Sequence, residues 1–95
     1  MINKEKYIKK FTGQLREWTK KIEEVKVKAD KALAGTKAEL NKHVEGLNQK
    51  KQVVAQKLQK MKEVSAESWE SLKEGLEKAG NDLKEALRSA KEKFK

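Results

Sequence analysis

Apolar side chains recur at alternating steps of three and four from Ile8 through Phe11, Leu15, Trp18, Ile22, Val25, Ala29 and Ala32, with Thr36 next in register. A helix turns once in 3.6 residues, so this spacing lays the side chains along one stripe that must be covered by another surface. After Thr36 the rhythm slips, taking two steps of four through Leu40 to Val44. It resumes at Leu47, Lys51, Val54, Leu58 and Met61. A second slip, Met61 to Ser65 to Trp69, leads into Leu72, Leu76, Ala79, Leu83, Ala86, Ala90 and Phe94. Averaged over the stripe the period is about 3.58 residues, nearer a straight helix than a supercoiled heptad zipper. No proline interrupts it anywhere.

Both slips coincide with stop-and-start chemistry. At the first, Gly35 fits a helix C-terminus, and Thr36 followed by Glu39 reads as a capping box. At the second, Ser65 is placed to cap a helix with Glu67 in its first turn, while Ser68 and Ser71 lower helix propensity. The pattern therefore predicts three helices over 3–34, 36–64 and 66–94, each about 43–48 Å long. They form one helical domain over 1–95. The fold class is all-α: long amphipathic helices folded back, coiled-coil-like, as an antiparallel hairpin or a three-helix bundle. If one slip is merely a stutter in a longer helix, the hairpin results. Gly80-Asn81-Asp82 adds a site for a kink in the last helix. Gly13, Gly46 and Gly75, beside the stripe, read as tolerated glycines on helix surfaces or at close packing points.

Charge changes this picture more than composition does. The net charge is +9, and 41% of the residues are charged. Residues 1–35 hold ten basic and five acidic groups, 36–64 seven and three, and 65–95 seven and seven. The entire excess thus lies in the first two thirds. Such a surface attracts acidic proteins, anionic lipid or nucleic acid, and also serves simply to solubilise a helix face. Glu17 with Lys21, Glu24 with Lys28 and Glu74 with Lys78 stand four apart and each support helix by about 0.2–0.5 kcal/mol.

Candidate chemistry is sparse. There are no cysteines, so disulfides and thiolate sites are excluded. His43 follows Glu39 by four, which supplies two metal ligands where a stable site needs three or four. Phosphate-cradling loops and nucleophile elbows are absent. Carboxylates such as Glu23, Glu24, Glu74 and Glu77 lie on solvated faces that leave a general acid untuned. The expectation is a non-enzyme with no catalytic residues, metal site, cofactor or small-molecule substrate. The aromatics Tyr7, Phe11, Trp18, Trp69 and Phe94 lie on or beside the stripe and read as core. Only the YIKKF stretch at 7–11 faintly resembles a base-stacking platform. Lys51, at a stripe position, is expected to snorkel outward. The amino terminus carries no secretory signal pattern and no stretch approaches the ~20 apolar residues of a membrane span, so cytoplasmic residence is the expectation.

Two stretches, YIKKFTGQLREWTKKIEEVKVKADKA and ESWESLKEGLEKAGNDLKEALRSAKEKF, resemble small, highly charged bacterial coiled-coil proteins of the general-stress-response type, with apolipoprotein-like amphipathic helices. The shared feature is a Trp-x-x-Leu-Lys pattern, here Trp69, Leu72 and Lys73. Such proteins often carry a second aromatic where this chain has Gly80. The resemblance implies a cytoplasmic, non-enzymatic helical protein associated with stress. Together with the stripe and the charge, it predicts an interaction or scaffolding protein that meets protein partners or copies of itself. Peripheral binding to anionic membranes and nonspecific nucleic-acid binding are the alternatives.

Overall fold

The computed structural model describes residues 3–93, which form three helices in chain order: α1 Lys4–Lys31, α2 Ala34–Glu63 and α3 Glu70–Lys93. They pack as an up-down-up bundle with principal extents of 51 × 17 × 16 Å and a radius of gyration of 15.3 Å. That radius exceeds the roughly 12 Å of a globular chain this long, because every element runs along the same axis. The three-helix alternative is therefore the one adopted. Helix α2 packs extensively on both neighbours, whereas α1 and α3, which have no direct link, meet over less.

Each end of α1 follows from local chemistry. The Asn3 side chain accepts from the Lys6 amide at 2.9 Å, a side-chain cap on the first turn, and Glu5 complements the positive helix start. Lys28 and Lys31 occupy the last turn, where cations are favoured. The helix then stops at Lys31, three residues before the expected boundary at 34. Ala32 and Leu33 adopt extended conformations, with ψ of 160° and 156°, and these two residues reverse the chain.

The capping box at Thr36 is not used. Gly35 and Thr36 lie inside the first turn of α2, which starts at Ala34 rather than 36, and the N-cap is Leu33, whose side chain makes no capping bond. Glu39 instead reaches Lys93 of α3 at 3.6 Å, so it does not fold back on the helix start. Residues 33–39 are all exposed, so the stripe position Thr36 stays in solvent. Leu33, 86% exposed, has the β-region backbone an N-cap needs but no oxygen to use it. Leu33→Asp should add the missing cap, stabilise the protein by about 1 kcal/mol and raise Tm by roughly 4–8 °C. Thermal melting by circular dichroism checks this; an unchanged Tm would mean that water already serves those amides equally well.

The second junction is longer than expected. Helix α2 ends at Glu63, Val64 is extended, and a turn over 66–69 precedes α3. The Ser68 amide donates to the Ser65 carbonyl and the Leu72 amide to the Trp69 carbonyl, both three residues back. Ser65 does not cap: its hydroxyl pairs with that of Ser68 at 3.2 Å. Helix α3 accordingly starts at Glu70 rather than 66. Its expected end at 94, and Phe94 itself, lie outside the described residues. Through Gly80-Asn81-Asp82 the helix is continuous.

The stripe forms the core. Phe11, Trp18, Ile22, Val25, Ala29, Leu40, Val44, Leu47, Val54, Leu58, Met61, Trp69, Leu76, Leu83 and Ala90 are buried, and Ile8, Leu15, Ala32, Leu72, Ala79 and Ala86 pack against them. Tyr7, Gly80 and Leu87, which lie off the stripe, are buried as well. A helix wedged against two neighbours needs a wider covered face than one seam provides.

Candidate interaction surface

The fold sorts charge by helix. Helix α1 carries ten basic and five acidic residues, α2 seven and three, and α3 six and six. Two of the three helices thus hold the whole positive excess. On α1, Lys9, Arg16 and Lys20 are spaced by seven and four and are all exposed, so they share one outward face. Lys51 is half-buried on α2, its stem occupying a stripe position.

Ion pairs tie α3 to the other two helices near its carboxy-terminal end: Lys91 to Glu24 of α1 at 3.9 Å and Lys93 to Glu39 of α2 at 3.6 Å. Glu24 therefore reaches across helices. Exposed pairs of this kind contribute roughly 0–1 kcal/mol each, so they orient α3 more than they hold it.

At the opposite end the aromatics cluster. Tyr7 packs on Phe11 and Trp69, with ring centroids 5.1 and 5.5 Å apart, and Phe11 meets Trp18 edge-on at 6.3 Å. All four are buried, so in the folded bundle none offers a face to a nucleic-acid base or to lipid. Lys73 Nζ lies 5.6 Å from the Tyr7 ring centroid and 6.0 Å from that of Trp69. The Tyr7 hydroxyl donates to the Lys73 carbonyl at 3.4 Å. Burial, with the Glu77 carboxylate beside it, pushes the phenol well above its ordinary value of 10.0. It stays protonated and structural. Lys4 Nζ donates to the Lys62 and Val64 carbonyls at the end of α2, placing a cation on the negative helix end. Nothing in the spacing announces that bond, which spans about sixty residues of chain.

Among the described residues, large apolar side chains are exposed at Val27 on α1, Leu33 at the turn and Val53 on α2. No helix among the described residues is long and apolar enough to cross a membrane. Nor do the described residues contain a group of three or more His, Asp or Glu placed to hold a metal ion.

Two surface concavities lie at helix seams and a third on α3 alone. One of about 220 Å³ lies where α1 meets α3, lined by Lys10, Phe11, Trp18, Glu77, Gly80 and Lys84 among others. Another, of about 210 Å³, is lined by Lys42, His43, Gly46, Leu47 and Lys50 of α2 and Ala86 of α3. A third, of about 360 Å³, is lined by Asn81, Asp82, Lys84, Glu85 and Arg88 of α3. Sequence reading placed His43 beside Glu39 and did not group it with Lys42 and Lys50. That grouping depends on Ala86 closing the other side of the seam. Comparison with protein-family models, curated proteins and solved structures finds no match to this chain.

Proposed function

We propose that this chain is a non-enzymatic helical interaction protein of the cytoplasmic, stress-associated type, whose apolar stripe holds its own helices together and whose lysine-rich α1–α2 side meets acidic partners. The observation that carries the reading is the division of charge: net +5 on α1 and +4 on α2 against zero on α3. Salt at physiological strength screens charges beyond about 8 Å, so a partner on one side of the bundle senses that side and not the average. With the aromatics buried, recognition rests on charge, which favours acidic protein segments over membrane insertion or base stacking.

Binding of a fluorescent poly-glutamate peptide, followed by anisotropy over a salt series, tests this. Replacing Lys9, Arg16 and Lys20 with glutamine should weaken binding about tenfold, at roughly 0.5 kcal/mol per exposed contact. The same change at Lys78, Lys84 and Arg88 of α3 should weaken it far less. Equal losses would defeat the one-sided reading, and salt-insensitive binding would defeat its electrostatic basis. Peripheral membrane binding is the second reading, favoured by the positive side alone. In that case the protein would co-sediment with vesicles of anionic lipid and be released as salt is added.

A further inference from the structure

We propose that the concavity between α2 and α3 bounded by Lys42, His43 and Lys50 is an anion site that takes a phosphate monoester. The phosphate sits between Lys42 and Lys50, beside His43, and the ester group on Leu47 and Ala86. This draws on the charge excess of α2 that the proposed function also uses, and goes beyond it to a separate site on the α2–α3 seam. Three observations converge. First, the cavity of about 210 Å³ has no carboxylate in its lining. The two larger concavities are each partly neutralised from within, one by Glu77 and the other by Asp82 and Glu85.

Second, the cavity is built around a missing side chain. Gly46 lies midway between Lys42 and Lys50 in the interior of α2, where glycine costs about 1 kcal/mol relative to alanine. An added Cβ there would meet nothing within 4 Å, so packing does not demand the glycine. Its effect is to leave the floor open. Third, the floor is apolar while the rim is cationic: Leu47 is buried, Ala86 half-buried, and Lys42 and Lys50 exposed.

The dimensions select the ligand class. Lys42 and Lys50 are eight residues apart, about 12 Å along the axis, a span that two four-carbon stems are long enough to bridge toward a group held between them. Lysine serves phosphate as a mobile point charge. A phosphate monoester is close to a dianion at neutral pH, and so suits two lysines beside a histidine better than a single carboxylate does. The space is smaller than the ~300 Å³ of an ordinary small-molecule pocket and open to solvent on one side, so it holds the phosphate and the first attached carbons and leaves the rest of the ester outside. A soluble monoester and the headgroup of a monoester lipid share this chemistry.

Backbone-amide NMR titration with inorganic phosphate and with phenyl phosphate tests the site. Saturable shifts are expected at Gly46, Leu47 and Ala86, with phenyl phosphate the tighter of the two. Lys50→Gln should weaken it about tenfold, the loss of one charge-assisted contact. Gly46→Leu fills the floor, keeps every charge and favours the helix, so it should abolish the shifts without lowering Tm. Shifts that grow linearly with phosphate at lysines all over the protein, or that survive Gly46→Leu, would overturn the proposal. In a second arm, phosphatidic acid vesicles whose binding is lost in Gly46→Leu assign the site to lipid. Vesicle binding indifferent to that change, with saturable phenyl phosphate binding, assigns it to a soluble monoester. If the poly-glutamate result holds while phenyl phosphate never saturates, this site alone is wrong. If poly-glutamate binding proves indifferent to the α1 lysines, the wider reading is wrong whatever the pocket does.

Discussion

Truncating Leu83 to alanine should destabilise the protein by about 2–5 kcal/mol, the range for removing a buried leucine and leaving its volume unfilled. Leu83 is fully buried in the middle of α3, which packs chiefly against α2. A domain of this size commonly holds 5–15 kcal/mol in total, so the loss is a large fraction of it. Urea unfolding followed by circular dichroism should show a lower midpoint at an unchanged slope. A loss below 1 kcal/mol would mean that α3 contributes little to the core.

Gly80→Leu should cost about 1–3 kcal/mol or more by overpacking, despite leucine's better helix propensity. Gly80 is buried, and an added Cβ alone would lie 3.0 Å from Phe11 Cε1 and 3.1 Å from Trp18 Cη2. The rings are themselves packed edge to face, so a further three carbons must push α3 away from α1. The α1–α3 seam is the least extensive of the three and gives way first. Phe11→Ala should recover part of the loss when combined with Gly80→Leu, a coupling that a double-mutant cycle measures. Purely additive effects would show that the two sites do not compete for space. Gly13, by contrast, has open space around its Cβ position, and the same argument predicts no clash there.

Much of the architecture was legible because one physical requirement, covering an apolar stripe, sets the spacing along the whole chain. The two slips at Thr36–Val44 and Ser65–Trp69 marked both reversals. Their exact positions were not legible, because the capping signals are also ordinary polar groups with tertiary uses: Glu39 goes to Lys93, and the Ser65 hydroxyl to Ser68. Leu33, a residue with no capping chemistry, starts α2 instead. Tyr7 was legible as core from its aromatic ring beside the stripe, whereas Gly80 and Leu87 were missed because a stripe one residue wide describes a single seam, and each helix here has two. At the surface, the charge excess was visible as a count. The concavity around Gly46 was not, since it needs Ala86 from a helix forty residues further along. Gly80 was visible as a glycine inside a helical pattern, but the rings that require a small residue there come from α1.

The plain up-down-up path, with each helix linked to the next through a short reversal, also bears on how fast the chain recovers its shape. Bundles dominated by contacts between sequence neighbours fold in microseconds to milliseconds. With no proline to isomerise and no cysteine to mispair, the slow steps of tens of seconds or longer that delay many proteins are absent from this one. A chain that has been unfolded by heat can thus regain its bundle almost as soon as the temperature falls, without help from isomerase or oxidoreductase.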